Sequence, residues 1–342
     1  MTFARRFTFA AAGVTLALGL GAASAADAQT KMKFTLDWAF QGPTSAFLVA
    51  EQKGYYKAAG LDITIDAGQG SAGALQRVAT GAYEMGFADI NALIEYNAKN
   101  PEGQVKAVMM AYDAPPFGVY ALKSSGIKTP KDMEGKKLGA PVFDASFKLF
   151  PAYAAKVGID KSKVTFINLQ PPLREPSLKN GSVDFISGHY FSSILDLEKI
   201  GVKQEDVIAF PYADAGMDFY GNAVVASPKF IKENPAAVKA FVAATIKAWK
   251  EVAANPEVGV KATKTRDGLT DEALEMKRLK MSLERNVLTK YVKDNGFGGV
   301  DMARLQRSSD SVASAIGLEK APKAADLFQE GFLPAKAERM MP

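Results

Sequence analysis

Asp37 and Trp38 stand together where an apolar run, Lys33 to Asp37, gives way to the loop Ala39-Phe40-Gln41-Gly42-Pro43. A carboxylate accepts hydrogen bonds from a ligand amine. An indole offers a flat face to a planar guest, a stack worth about 0.5–1.5 kcal/mol beyond its burial. Phe40 and Gln41 add a second ring and an amide that both donates and accepts. After the next apolar run comes Gly68-Gln69-Gly70-Ser71-Ala72-Gly73, with glycines at dinucleotide-fingerprint spacing. Such a turn leaves helix N-terminal amides free for a small anion or ligand oxygen. Gln69, Gly70 and Ser71 are therefore candidate contacts, and Ser71 serves equally well as a helix cap. Asp89, Asp144 and Ser146 open further helices, where capping competes with ligand contact. His189, the only histidine, and Tyr190 follow another strand, while Phe117 and Tyr220 lie beside two chain crossings. Arg174 could clamp an anion, but its neighbour Glu175 invites a local ion pair.

The chain lacks the parts of most enzymes. With no cysteine and one histidine it cannot build a zinc site of the usual ligands or a Cys–His pair. Gln69 stands where a nucleophile elbow around Ser71 would need glycine. No P-loop or calcium-loop pattern occurs. No catalytic residue, metal ligand or cofactor is therefore expected.

The first residues read as a leader. Arg5 and Arg6 precede an apolar run from Phe7 to Ala23, followed by Ala23-Ser24-Ala25 and Ala26-Asp27-Ala28. That order of charged, apolar and small residues is a secretory signal peptide, residues 1–28, cut near Ala25 or Ala28. The arginine pair hints at twin-arginine export, although its flanks fit poorly. Without cysteine there is no disulfide and no lipid anchor, so a freely diffusing periplasmic protein is expected. The formal charge of +5 falls by two, to +3, without Arg5 and Arg6. No basic stripe appears, so no nucleic-acid partner is expected, and nothing in the chain calls for more than a monomer.

From Lys33 onward apolar strands alternate with helices of about ten residues, the pattern of βαβ units on a largely parallel sheet. Strands are expected at Leu61–Asp66, Met85–Ala88, Val105–Ala111, Lys136–Ala140, Val164–Leu169, Val183–Ser187 and Val207–Phe210. Phe117–Leu122 and Asn222–Ala226 read as crossings between two such halves. The chain is helical from Ser227, with Trp249 as a core anchor and a long charged helix over Asp271–Lys290.

Several segments are recognisable. Leu36-Asp37-Trp38, Ala50-Glu51-Gln52-Lys53-Gly54-Tyr55-Tyr56, Ala59-Gly60-Leu61-Asp62 and Met85-Gly86-Phe87-Ala88-Asp89 resemble the solute-binding proteins of ABC importers for nitrate, sulfonate, taurine and thiamine pyrimidines. Leu173-Arg174-Glu175-Pro176, Gly181-Ser182-Val183-Asp184 and Gly188-His189-Tyr190-Phe191 extend the resemblance over most of the chain. The Asp-Trp pair looks most like the thiamine-pyrimidine branch, in which the Trp is expected to stack on the ring. That branch usually continues with Pro and Asn, where this chain has Ala39-Phe40-Gln41. Related eukaryotic pyrimidine synthases carry a Cys-rich segment and further histidines, and this chain has neither.

The resemblance implies a two-lobed α/β fold of the periplasmic-binding-protein, or Venus flytrap, type. Each lobe would be a mixed, mostly parallel sheet flanked by helices, with two crossover segments and a helical C-terminal extension. Lobe 1 is expected at 29–117 plus 222–342 and lobe 2 at 118–221. The implied function is capture of a small ligand between hinged lobes and delivery to an inner-membrane ABC permease. The ligand classes considered are pyrimidine-like heterocycles, aromatic acids and sulfonates. Two other readings are a nucleotide-binding enzyme using the 68–73 glycines and a sensory partner of a membrane receptor.

Overall fold

The structure, a computed structural model, describes residues 1–2 and 29–342. The leader and its cleavage sites fall on residues 3–28, outside the described residues. Two five-stranded mixed sheets organise the rest. The first has the order β2-β1-β3-β10-β4, from β1 (Thr30–Thr35), β2 (Leu61–Asp66), β3 (Met85–Asp89), β4 (Lys106–Met110) and β10 (Asn222–Ala226). The second has the order β7-β6-β8-β5-β9, from β5 (Phe117–Leu122), β6 (Lys137–Ala140), β7 (Thr165–Asn168), β8 (Phe185–His189) and β9 (Val207–Pro211).

The sheets share one plan. In each, a crossing strand lies antiparallel to both neighbours: β10 between β3 and β4, β5 between β8 and β9. The remaining pairs, β1 with β2 and β3, β6 with β7 and β8, are parallel. Parallel strands joined by helices put their C-terminal ends on one edge, where loops form binding crevices. The chain enters the second sheet through β5 and returns to the first through β10, so those edges can face one another.

Packing explains two shifts from the expected boundaries. β1 starts at Thr30 because its six residues pair in register with Leu61–Asp66; Asp37 and Trp38 then lie beyond the strand. β8 runs to His189 because β5 pairs antiparallel along it, Phe117 opposite His189. Val183, read as strand, is instead a buried residue just ahead of β8. The charged segment read as one helix is Glu272–Ser282 followed by a π-type turn, Leu283–Val287.

The first lobe's core is aromatic. Phe34 lies 4.8 Å from Phe47 and 4.9 Å from Phe241, whose ring stacks on Tyr56 at 5.0 Å. Trp249, on the helix Pro235–Ala254, is fully buried against Phe47, Tyr112 and Phe297, the core anchor expected. No described helix is long and apolar enough to cross a membrane.

Candidate functional site

Beyond β1 the chain turns at Asp37, and backbone bonds fasten it to the glycine loop. The Gly70 amide donates to the Asp37 carbonyl at 2.6 Å, and the Gly68 amide to that of Trp38 at 3.0 Å. The Asp37 carboxylate accepts from Ser71 Oγ at 3.1 Å and from Asn222 Nδ2 at 2.6 Å. Ser71 Oγ in turn accepts the Asp89 amide at 3.0 Å. The ends of β1, β3 and β10 and the head of the helix Ser71–Ala79 thus converge on one buried carboxylate. Burial pushes Asp37 up to about 6 against the pull of its two donors, with the nearby Asp144 carboxylate adding to the rise.

The second lobe supplies the opposite wall. Asp144 caps the helix Ala145–Val157, accepting from the amides of Ser146 at 2.7 Å and Phe147 at 3.2 Å. Its other oxygen accepts from Arg174 Nη1 at 3.2 Å. Arg174, 1 % exposed, also donates to Glu175, and its guanidinium lies 5.2 Å from the centre of the Trp38 ring. Burial raises both acids, Asp144 and Glu175, and the guanidinium opposes the rise. His189 packs between Phe117 at 5.4 Å and Phe191 at 5.3 Å. Burial first and the Arg174 charge second hold it down at about 3, so its imidazole is neutral and offers one donor and one acceptor.

Between these walls lies a cleft of about 490 Å³ including its mouth. The walls leave free room in it for little more than one or two waters. The walls touch: the Ala72 amide donates to the Phe143 carbonyl at 3.3 Å, and Ser192 Oγ to Gln41 Oε1 at 3.1 Å. This is a closed arrangement.

Of the sequence candidates, Asp37, Trp38, Gln41, Gly70, Ser71, Asp144 and His189 line the cleft. The others do not. Phe40 packs on the first lobe's core under the Arg266 guanidinium, 5.0 Å from its ring. Gln69 lies on an outer groove that adjoins the cleft at Trp38 and Ala39. Asp89 is spent as a cap on the amides of Asn91 and Ala92. Phe117 backs His189 instead of facing the cleft. Ser146 lies behind Asp144 and Ala145, its hydroxyl buried with no partner at hydrogen-bond geometry among the described residues. Tyr190 turns away from the cleft and reaches across the seam, donating to the Met281 carbonyl at 2.7 Å. Tyr220 accepts the Asp301 amide at 2.7 Å and stacks beneath Arg304, at the return crossing. The glycine loop is no phosphate cradle: the Gly68, Gly70 and Ala72 amides are all taken by protein carbonyls.

Tyr112, Thr44, Phe191, Ser192 and Asn222 also line the cleft. Asn222 had a signal, a polar residue heading the apolar strand Asn-Ala-Val-Val-Ala. Arg174 makes the ion pair read from its neighbour and faces the cleft as well.

Asp37 carries a stability cost that titration exposes. Its folded value, about 6, exceeds the ordinary aspartate value of 3.8. Between those values the folded chain keeps a proton that the unfolded chain has lost, so stability falls as pH rises through that window. A rise of that size corresponds to about 3 kcal/mol at pH 8. Asp37→Asn keeps one oxygen for Ser71 and Asn222, and should unfold at higher urea than the wild type at pH 8. The two should coincide at pH 4. An equal midpoint at both pH values would show that Asp37 is not a strained charge.

The paired sheets, the crossing strands and the cleft between the strand ends are those of a two-lobed periplasmic-binding-protein fold. Residues 43–258 match the family described as NMT1/THI5 like, and the chain belongs to that family. A putative thiamine biosynthesis protein from Haemophilus influenzae is 25% identical over 203 residues, 59% of this chain. That match spans 63% of the relative, under two thirds of its length. The formylaminopyrimidine-binding protein of Halalkalibacterium halodurans is 23% identical over 310 residues, 90% of this chain and 92% of the relative. Among solved structures, the alkanesulfonate-binding protein SsuA of Xanthomonas axonopodis pv. citri, bound to MOPS, superimposes with a TM-score of 0.68 at 15% identity. The superposition covers 88% of this chain and 99% of that one.

Proposed function

We propose that this protein is an extracytoplasmic, periplasmic solute-binding protein. Its lobes, 29–117 plus 222–342 and 118–221, close on a small planar nitrogen heterocycle and present it to an ABC permease. The protein works as a carrier and not as an enzyme. The observation that carries the reading is the charge of the cleft. Asp37 and Asp144 face it; among the described residues Arg174 is the one arginine that lines it, and it is already shared between Asp144 and Glu175, while His189 is neutral. An aromatic acid or a sulfonate would bring a further negative charge without a free cation to meet it. An amine-bearing ring of the aminopyrimidine kind would donate to Asp37 and lie against Trp38, with Ser71, Gln41 and His189 completing its polar edge.

Tryptophan fluorescence is the test, with aminopyrimidines, aromatic carboxylates and aromatic sulfonates titrated separately. Trp249→Phe supplies the background, since the Trp249 Nε1 has no partner to lose. An aminopyrimidine should bind and the anions should not. Trp38→Ala should weaken binding about tenfold, the worth of a stack with its buried area. Ionised Asp37 is the better acceptor, so affinity should rise about tenfold from pH 5 to pH 7 and then level off. Tighter binding of a sulfonate, with no dependence on pH near 6, would overturn the reading.

A further inference from the structure

A second charged cluster crosses the seam between the lobes, behind the residues that line the cleft. It stands on the helix Glu272–Ser282, beyond the family-matched residues 43–258. Arg278 is 1 % exposed and Glu275 7 %. Glu275 Oε2 accepts the Gly42 amide at 2.6 Å, and its Oε1 accepts Arg278 Nε at 3.1 Å. From there the guanidinium reaches into the other lobe. Nη1 donates to the Phe191 carbonyl at 3.0 Å, and Nη2 to Asp196 at 2.8 Å. Both acceptors belong to the helix Tyr190–Lys199, whose Phe191 and Ser192 line the cleft. Gly42 ends the loop that carries Trp38 and Gln41.

We propose that Arg278 is the positioning residue of closure: with Glu275 it joins the Trp38–Gly42 loop to the Tyr190–Lys199 helix, so the lobes latch when that loop is seated. This rests on the reading that the lobes hinge. One guanidinium serves both sides of the seam, and two of its three bonds exist only while the lobes touch. An arginine suits the task because its planar fork serves several acceptors at once, where a lysine ammonium acts as one point charge. On opening, Asp196 and the Phe191 carbonyl return to water and Glu275 keeps the arginine. The latch thus acts on the balance between open and closed forms. Tyr190, which donates to the Met281 carbonyl, and the exposed pair Lys277–Glu198 at 2.8 Å lie along the same seam.

The test needs no ligand. The chain has no cysteine, so Asp62→Cys and Lys163→Cys, one exposed site in each lobe, take spin labels without background. Pulsed-resonance distances then give the closed-to-open ratio of the full mature chain. Arg278→Ala and Asp196→Asn should each lower that ratio about tenfold or more, the worth of hydrogen bonds to a charged group. Asp196 is partly exposed, so its variant should keep the wild-type thermal midpoint, which a merely structural role would not predict. Lys277→Ala, which removes an exposed pair, should leave the ratio within about twofold. The latch is overturned if both variants keep the wild-type ratio, or if the wild-type chain is wholly open. Gly70→Ala separates the two ideas, because its added methyl group meets the other lobe without involving Arg278. If it opens the lobes while Arg278→Ala does not, only the latch falls. If neither opens them, the hinge reading falls too.

Discussion

Gly70→Ala should hold the lobes apart and weaken ligand binding by about a hundredfold or more. Gly70 sits where the walls meet. A Cβ built there would stand 2.4 Å from the Phe143 carbonyl oxygen and 2.6 Å from its carbon, both backbone atoms of the opposite lobe. Backbone cannot swing aside as a side chain can, so the lobes must back off. The neighbouring Ala72-to-Phe143 bond then lengthens, and Trp38 and Asp37 lose the opposite wall. The glycine also adopts φ +136°, a conformation that L side chains avoid. Strain alone would lower stability by about 1–3 kcal/mol without changing the lobe distance. Small-angle scattering tells the two effects apart: blocked closure gives a larger radius at every ligand concentration. Gly73→Ala is the control, since nothing lies within 4 Å of the added methyl group and helix interiors favour alanine by about 0.5–1 kcal/mol. A Gly70→Ala protein as compact as the wild type would remove this residue from the seam.

The same glycine shows where sequence reasoning works and where it stops. Strand–helix alternation gave the two sheets, and Phe117–Leu122 and Asn222–Ala226 were legible as crossings because apolar runs of strand length interrupt the pattern. The loop after β1 was legible because Asp-Trp followed by Gly-Pro leaves an indole at a strand end. The partners of these groups were not. Period-2 and period-3.6 patterns report which face is buried, never which distant residue faces it. Nothing local to Asp37 foretold Asn222, 185 positions away. Nothing local to the 68–73 glycines foretold that a carbonyl of the other lobe would take the Ala72 amide. Tyr190 and Tyr220 lie off the cleft for a related reason. Each stands beside the cleft in sequence, but each hydroxyl turns to the C-terminal segment, at Met281 and Asp301, whose path no local pattern fixes.

Arg174 is the sharper case, since its sequence neighbour suggested only half of its role. Arg174→Ala should destabilise the protein by about 3–5 kcal/mol at pH 7, the cost of leaving buried charges without their partner. Asp144 and Glu175 are 6 % and 5 % exposed, and no other basic group pairs with either among the described residues. The sign of the pH dependence follows from their environment. Burial already raises both carboxyls and Arg174 holds them down, so its loss should lift them further. In acid the folded variant then takes up protons that its unfolded chain binds only at lower pH, and its deficit against the wild type should narrow as pH falls from 7 to 5. Adding Glu175→Gln to Arg174→Met, which removes one stranded charge and refills the volume, should recover part of the loss. Urea midpoints for the three proteins at pH 5 and pH 7 decide the matter. A deficit below about 1 kcal/mol, or one that does not change with pH, would mean that the two acids reach water. The cleft's charge balance, on which the choice of an amine-bearing ring rests, would then have to be drawn again.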